Sequence, residues 1–248
     1  MGELLISLRG VGKTYVARGR SHVAVSDVSM DIHRGDFIAL VGPSGCGKTT
    51  ILKMLADLHR PDCGEIVASP GAARVGMVFQ QPMLLKWRTI LENVLLPAEI
   101  LHLPMAPARS RARHLLELVG LGGLDDKYPQ ELSGGMQQRV AIARGLIHEP
   151  ALLLMDEPFG ALDALTRDRI NLEMLRIWRD SGTTILFVTH SVPEAAFLGT
   201  HCAVLTAGPA RMAEYFAIDL PQPRTLEMRT GAEFGSVVRR IYARLGMV

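Results

Sequence analysis

Short apolar runs alternate with longer stretches of helical period along most of this chain. Leu4 to Leu8 is a first run of strand length. Phe37 to Val41 is unbroken apolar and feeds a glycine-rich loop, after which Lys48 to Leu58 takes up helical spacing. Arg74 to Gln80, Ala151 to Met155, Thr183 to Thr189 and Cys202 to Thr206 are further strand-length runs. Such alternation predicts a largely parallel sheet joined by crossover helices. A long helix is expected from near Asp163 to Gly182, whose glycine suits a C-terminal cap. Ser191-Val192-Pro193-Glu194 has the form of a capping box with an early proline. Glu233 to Leu245 reads as an amphipathic helix with Val237, Val238, Ile241 and Leu245 inward.

Between about Pro82 and Pro150 the pattern changes, and no strand is expected there. Thr89-Ile90-Leu91-Glu92 opens one helix with a capping box, Pro107 to Val119 makes a second, and Ser133 caps a third running to His148. The expected organisation is a single domain over 1–248. Its α/β core is 1–81 and 150–215, with a helical subdomain inserted at 82–149 and a tail helix within 216–248. No internal repeat or low-complexity segment is visible.

Composition narrows the class without naming an activity. About half of the 248 residues are apolar (48%), enough for a sizeable core. No run approaches the roughly 18 apolar residues of a membrane-spanning helix. Met1-Gly2-Glu3-Leu4 carries no basic stretch followed by a long apolar one, so no secretory leader is expected. A net charge of +2 is too small to argue for a nucleic-acid partner. The clusters Arg109, Arg111, Arg113 and Arg239, Arg240, Arg244 read as solvated helix faces. Three cysteines, Cys46, Cys63 and Cys202, make no CxxC pair, which fits a reduced compartment and no zinc site.

The chemistry sits in a few short motifs. Gly42-Pro43-Ser44-Gly45-Cys46-Gly47-Lys48-Thr49-Thr50 matches the phosphate-binding loop. Its glycines let successive N–H groups turn toward phosphate oxygens, and the helix that follows adds the positive end of its dipole. Lys48 reaches the terminal phosphates, and the Thr49 hydroxyl can ligate Mg²⁺. Leu152 to Met155 is an apolar strand ending in Asp156 and Glu157. In phosphate-loop enzymes an aspartate in that place holds the metal, and the glutamate beside it stands where a general base polarises water. Leu132-Ser133-Gly134-Gly135-Met136-Gln137-Gln138-Arg139 leads into a helix and, taken alone, could be an ordinary serine-capped start.

The order of these motifs, with Tyr15, Gln80, Ala161-Leu162-Asp163 and His190, resembles the ATP-binding subunits of ABC transporters over nearly the whole chain. The resemblance implies an α/β, RecA-like P-loop NTPase core with a mostly parallel sheet, an N-terminal antiparallel β element and the helical insertion. It implies that Tyr15 stacks on adenine and that Gly42 to Thr50 is the Walker A loop. Gln80 reaches the metal and the attacking water. Asp156 and Glu157 are the Walker B aspartate and the catalytic glutamate, Asp163 belongs to the D-loop, and His190 is the switch histidine. Ser133, Gly134 and Gly135 belong to the signature, which meets ATP held by a second subunit. One departure is visible: the family usually has glutamine where Met136 stands, which puts in doubt only a contact near the ribose.

A finer resemblance rests on Phe79-Gln80-Gln81-Pro82, Leu84 to Thr89, Glu92-Asn93-Val94 and Asp219 to Arg224, and points to the nitrate, sulfonate and taurine importers. It implies an ATPase motor with ATP and Mg²⁺ as cofactors, dimerising head to tail, peripheral on the cytoplasmic face of the cell membrane. Its partners would be a transmembrane permease and, indirectly, a substrate-binding protein. No added regulatory domain is expected after Arg224. The apolar patch Met83, Leu84, Leu85, Trp87 is either core or part of the groove that receives the permease. Two competing readings are a soluble ABC-type ATPase acting on ribosomes or DNA and a lone P-loop kinase. The first normally has two such domains in one chain or a long coiled coil, and the second leaves Leu132 to Arg139 unexplained.

Overall fold

The computed structural model describes residues 2–17, 19–70, 72, 74–160 and 162–247. Two sheets form its frame. The smaller has β1 (Leu4–Ala17), β2 (Arg20–His33) and β4 (Cys63–Ala68), antiparallel in the order β2-β1-β4. The larger begins with β3 (Phe37–Val41) and also holds β5 (Val75–Val78), β6 (Leu152–Asp156), β7 (Thr184–Thr189), β8 (His201–Leu205) and β9 (Met212–Ala217). Its order is β5-β6-β7-β3-β8-β9, parallel except for the β8–β9 pair.

Strands β3 and β7 are buried throughout, as expected of parallel strands covered on both faces. Their side chains divide by strand period. Phe37, Ala39, Val41, Leu153, Met155, Ile185 and Phe187 face one core. Ile38, Leu40, Leu152, Leu154, Leu186 and Val188 face the other, together with the smaller sheet and α1 (Lys48–Leu55). The first core is covered by α2 (Ile90–Ile100), α3 (Met105–Leu118) and α4 (Gly134–Leu146), then α5 (Ala164–Ser181), α6 (Val192–Leu198) and α7 (Ala232–Arg244).

Among the described residues no strand interrupts 82–150. Thr89 and Glu92 form the expected reciprocal cap: the Glu92 N–H donates to Thr89 Oγ1 at 3.2 Å, and the Thr89 N–H to Glu92 Oε2 at 2.8 Å. Helix α5 starts at the Asp163 cap and ends at Gly182 in the left-handed conformation (φ 63°). In α7, Ile241 and Phe234 are buried, while Val237, Val238 and Leu245 pack at its margin. Within the basic clusters Arg109 and Arg239 are exposed, Arg111 meets Glu149 at 2.7 Å, Arg113 meets Asp125 at 2.8 Å, and Arg240 and Arg244 converge on Glu214 at 2.6 and 2.8 Å.

Several expectations change: the first strand runs on past Leu8 to Ala17, α4 stops at Leu146 rather than His148, and β9 follows the strand expected to be the last. The strand expected over Arg74–Gln80 is shorter, because its one neighbour, β6, pairs only as far as Val78 and leaves Phe79 and Gln80 outside the ladder. Helix α1 stops at Leu55, where the chain turns through Asp57 at positive φ. At Ser191-x-x-Glu194 only half a capping box forms: the Glu194 N–H donates to Ser191 Oγ at 3.4 Å, while the Glu194 carboxylate turns elsewhere.

Candidate active site

The sheet register assembles the site. Val41 at the end of β3 lies opposite Thr189, Asp156 opposite Val188, and Val78 opposite Met155. The residues that follow these strands (Gly42, His190, Glu157 and Gln80) therefore emerge along one edge, at the carboxyl ends of parallel strands, where open α/β sheets bind ligands.

The loop is shaped by close approach. A side chain at Gly42 would meet Cys46 Sγ at 2.9 Å and the Leu205 carbonyl at 3.3 Å. Gly47 has φ 122°, and a Cβ there would press on the Ala24 carbonyl at 2.5 Å. The Cys46 side chain is buried, and burial pushes its thiol pKa up, while its N–H donates to the Pro43 carbonyl at 3.2 Å. Lys48 is buried to 5% exposure; its Nζ donates to the carbonyls of Gly42 (2.9 Å) and Pro43 (3.1 Å) and stands 3.8 Å from Glu157 Oε1.

Thr49 Oγ1 donates to Asp156 Oδ2 at 2.9 Å. Burial pushes the Asp156 carboxyl above the ordinary carboxylate range against that hydrogen bond, and the Glu157 charge adds to the push. Two half-buried carboxylates side by side, with a hydroxyl joined to one, are an electrostatic demand for a hard cation with oxygen ligands. Lys48 and the loop amides likewise suit a phosphate chain. The side chains present therefore fit a metal–nucleotide pair.

Glu157 is held at φ 45°, an uncommon conformation for a residue with a Cβ. Its N–H donates to the Val188 carbonyl at 3.0 Å, and its carbonyl accepts from the Gly160 N–H at 3.2 Å, so β7 and the following turn fix it there. Its Oε2 lies 3.3 Å from His190 Nδ1. A Cβ built on Gly160 would find Gln80 Nε2 and His190 Cε1, each 3.7 Å away, which brings Gln80 into the same group.

The remaining sequence candidates lie apart from this group. Tyr15 is half-buried on β1, with its ring edge-on to His59 at 5.8 Å between centroids. Ser133 caps α4 by accepting the Met136 N–H at 3.3 Å, and Ser133 and Gly134 are exposed. Asp163 caps α5 through the Thr166 N–H at 3.0 Å, which lowers its carboxyl pKa. Ala161 lies outside the described residues. A Cβ on Gly135 would touch Thr166 Cγ2 at 3.4 Å and Leu162 Cδ2 at 3.7 Å, so the starts of α4 and α5 are neighbours. Among the described residues no hydrogen bond or ion pair joins Ser133, Gly134 or Gly135 to the loop at 42–50. Met136, the departure from the expected glutamine, is partly buried against the first core. Sequence reasoning missed Glu194 and Arg167, which bond around His190. A glutamate amid the apolar run Ala195 to Leu198 was the available signal.

The family model described as "ABC transporter" matches residues 25–160. The chain is similar to the nitrate import ATP-binding protein NrtC of Synechococcus elongatus, 46% identical over 220 residues, 85% of this chain and 33% of that longer protein. It is similar to the aliphatic sulfonates import ATP-binding protein SsuB of Bacillus subtilis, 40% identical over 235 residues, 92% of this chain and 89% of that one. Its fold matches the dimeric post-hydrolysis structure of the ATP-binding cassette MJ0796 bound to ADP and Pi, with a TM-score of 0.76 and 30% identity over 88% of this chain and all of that one. With the phosphate loop, the acidic strand end and the histidine gathered on one sheet edge, the chain belongs to the ABC transporter family as an ATP-hydrolysing cassette.

Proposed function

We propose that this chain is the motor subunit of an ABC-type importer, closing head to tail with a second copy around two ATP and driving a separate permease. The observation that carries the reading is the division of the site. Lys48, Asp156, Glu157, His190 and Gln80 gather on one sheet edge. Among the described residues the exposed start of α4 at Ser133 makes no bond to them.

In this reading Lys48 leaves the Gly42 and Pro43 carbonyls for the terminal phosphates. Mg²⁺, held by Thr49 and Asp156 with Gln80 beside it, would supply charge neutralisation at the phosphate oxygens. Glu157 takes the proton of the attacking water, with His190 orienting it, and Tyr15 carries the adenine. Positioning and charge do the rest, as is usual in phosphoryl transfer. The Ser133 helix start and Asp163 meet the nucleotide bound by the partner.

The helices of 82–149 act as a lever between the core (1–81 and 150–215, with the tail 216–248) and the permease. Met83 and Trp87 are 63% and 75% exposed, which argues against the core alternative for these two, while Leu84 packs against the first core. Met83 lines a groove of about 680 Å³ with Pro82, Leu84, Leu85 and Pro129 as its apolar part and Gln81, Lys86, Gln130 and Gln137 as its polar part, suited to a short amphipathic helix of a membrane subunit. No helix of the chain is long and apolar enough to cross a membrane, among the described residues. The relatives named as import ATP-binding proteins favour a peripheral place on the cytoplasmic face of the membrane. The relatives named for nitrate and aliphatic sulfonates favour a small anion as cargo, nitrate, sulfonate or taurine, delivered by a binding protein.

The test mixes two inactive chains. Ser133→Arg damages the surface offered to the partner, and Lys48→Ala damages the loop. Each alone should be inactive. Mixed heterodimers hold one doubly damaged and one intact site, so ATPase activity should return, up to about half of wild type per dimer if the sites turn over independently. If the sites are strictly coupled, ATP should still bind the intact one. Dependence of ATP binding by the isolated monomer on its own Ser133 would refute the shared site.

A further inference from the structure

Glu194 is a buried carboxylate on α6, only 6% exposed, and its neighbours Ala195, Ala196 and Phe197 are all buried. An apolar residue would fill this place at lower cost, since a buried charge is expensive unless paired and hydrogen-bonded. The carboxylate has two partners. Its Oε2 accepts from Thr189 Oγ1 at 2.6 Å, and its Oε1 stands 3.4 Å from Arg167 Nε.

Each partner leads to a functional segment. The Thr189 hydroxyl, oriented by Glu194, accepts the Ser191 N–H at 2.9 Å. Thr189 and Ser191 are the two chain neighbours of His190, so this bond fixes the backbone that carries the imidazole. Arg167 Nη2 donates to the Leu162 carbonyl at 2.7 Å. Leu162 precedes Asp163 and sits beside Gly135 at the start of α4. Thus one carboxylate ties the turn holding His190 to the turn holding Asp163.

We propose that Glu194 is a positioning residue for hydrolysis: through Thr189 it sets His190 against Glu157, and through Arg167 it links that setting to the Leu162–Asp163 turn. The inference rests on the reading that His190 acts in hydrolysis. Glu194 is 6% exposed and its two carboxylate oxygens face Thr189 and Arg167, so its effect should fall on turnover and spare ATP binding.

The test uses steady-state and single-turnover hydrolysis of Mg-ATP by the full chain. Glu194→Gln keeps the size but removes the ion pair; kcat should fall about tenfold or more while KM stays within about twofold, as misplacement of a reacting group does. Thr189→Val should lower kcat similarly, and Thr189→Ser, which restores the hydroxyl, should recover most of it. In a His190→Ala background, Glu194→Gln should cause little further loss, because residues acting as a unit are not additive. Wild-type kcat in Glu194→Gln, or an equal loss with and without His190, overturns the proposal. If Glu194→Gln does not fold, the Thr189 pair decides, and wild-type turnover in Thr189→Val overturns it. Full activity in His190→Ala would bring down the role of the histidine itself, and this inference with it. An inactive His190→Ala beside an active Glu194→Gln would refute this inference alone.

Discussion

Replacing Glu157 by glutamine removes one charge and little volume, and its consequences can be worked from two distances. Glu157 Oε1 is 3.8 Å from Lys48 Nζ, and Oε2 is 3.3 Å from His190 Nδ1. At an effective dielectric constant of about 20, the gross attraction between Lys48 and Glu157 is about 4 kcal/mol. Lys48 gives up much of it when it turns to a phosphate, and the carboxylate also repels the arriving anion. Glu157 is about a quarter exposed (23%), so solvent takes most of this back. A net gain of about 1 kcal/mol in ATP binding, or roughly fivefold in affinity, is expected of Glu157→Gln. Turnover should move the other way. Losing a general base costs about 100-fold, which is about 2.7 kcal/mol on the barrier. The assays are single-turnover release of phosphate from labelled ATP, and titration calorimetry with ATP for the variant and a non-hydrolysable analogue for both chains. Sedimentation in Mg-ATP should show the variant as a lasting dimer. Turnover within tenfold of wild type would refute the assignment of Glu157 as base. Unchanged affinity for the analogue would refute the claim that its charge competes for Lys48.

Other substitutions test separate steps. Lys48→Ala should weaken ATP binding about 10- to 100-fold, the loss of one or two charge-assisted hydrogen bonds, and calorimetry at wild-type affinity would contradict it. At position 157 the ordinary ranking of glycine and alanine should invert: φ is 45° there, a conformation that costs a residue with a Cβ about 1 kcal/mol or more. Glu157→Gly should therefore melt about 2–4 °C above Glu157→Ala, and a lower melting point for the glycine variant would show that no strain is stored. Arg224 is 5% exposed and donates to the Ala196 and Phe197 carbonyls at 3.1 and 2.8 Å, closing the end of α6. Arg224→Met should cost about 1–3 kcal/mol by leaving those acceptors unpaired, read as a lower urea midpoint with unchanged slope.

What the sequence made legible follows from how local each signal is. The buried strands β3, β6 and β7 are continuous apolar runs, and α5 carries both its caps, Asp163 and Gly182, in the chain itself. The smaller sheet is harder to read. Strand β4 is almost wholly exposed and offers no apolar period. Strand β2 does alternate at Val28, Met30 and Ile32, but only over its second half. Its antiparallel pairing was expected from family resemblance alone. Within the site, Lys48, Thr49, Asp156 and Glu157 were legible because a phosphate loop needs them at fixed offsets. Glu194 was read as the second half of a capping box, which is a local rule. Its carboxylate instead accepts from the Thr189 hydroxyl and lies 3.4 Å from Arg167 on another helix, an ion pair without hydrogen-bond geometry at Nε, and only the tertiary structure shows that choice.

The contacts within the chain also bear on where the energy of closure would come from. Lys48 is already satisfied by two carbonyls and Glu157, and Thr49 by Asp156. ATP must exchange these bonds for its own, so their net return is modest. The first N–H groups of α4 are different. Those of Gly134 and Gly135 have no acceptor among the described residues, and a Cβ at Gly134 would meet nothing within 4 Å. Such orphan donors at an exposed helix start favour an anion and exchange only water for it, with no bond within the chain to break. In the proposed dimer the γ-phosphate of the partner's nucleotide is that anion, and its bonds form only across the interface. In that proposal binding energy is reserved for the closed pair, and hydrolysis with Glu157 as base would remove the group that holds it closed.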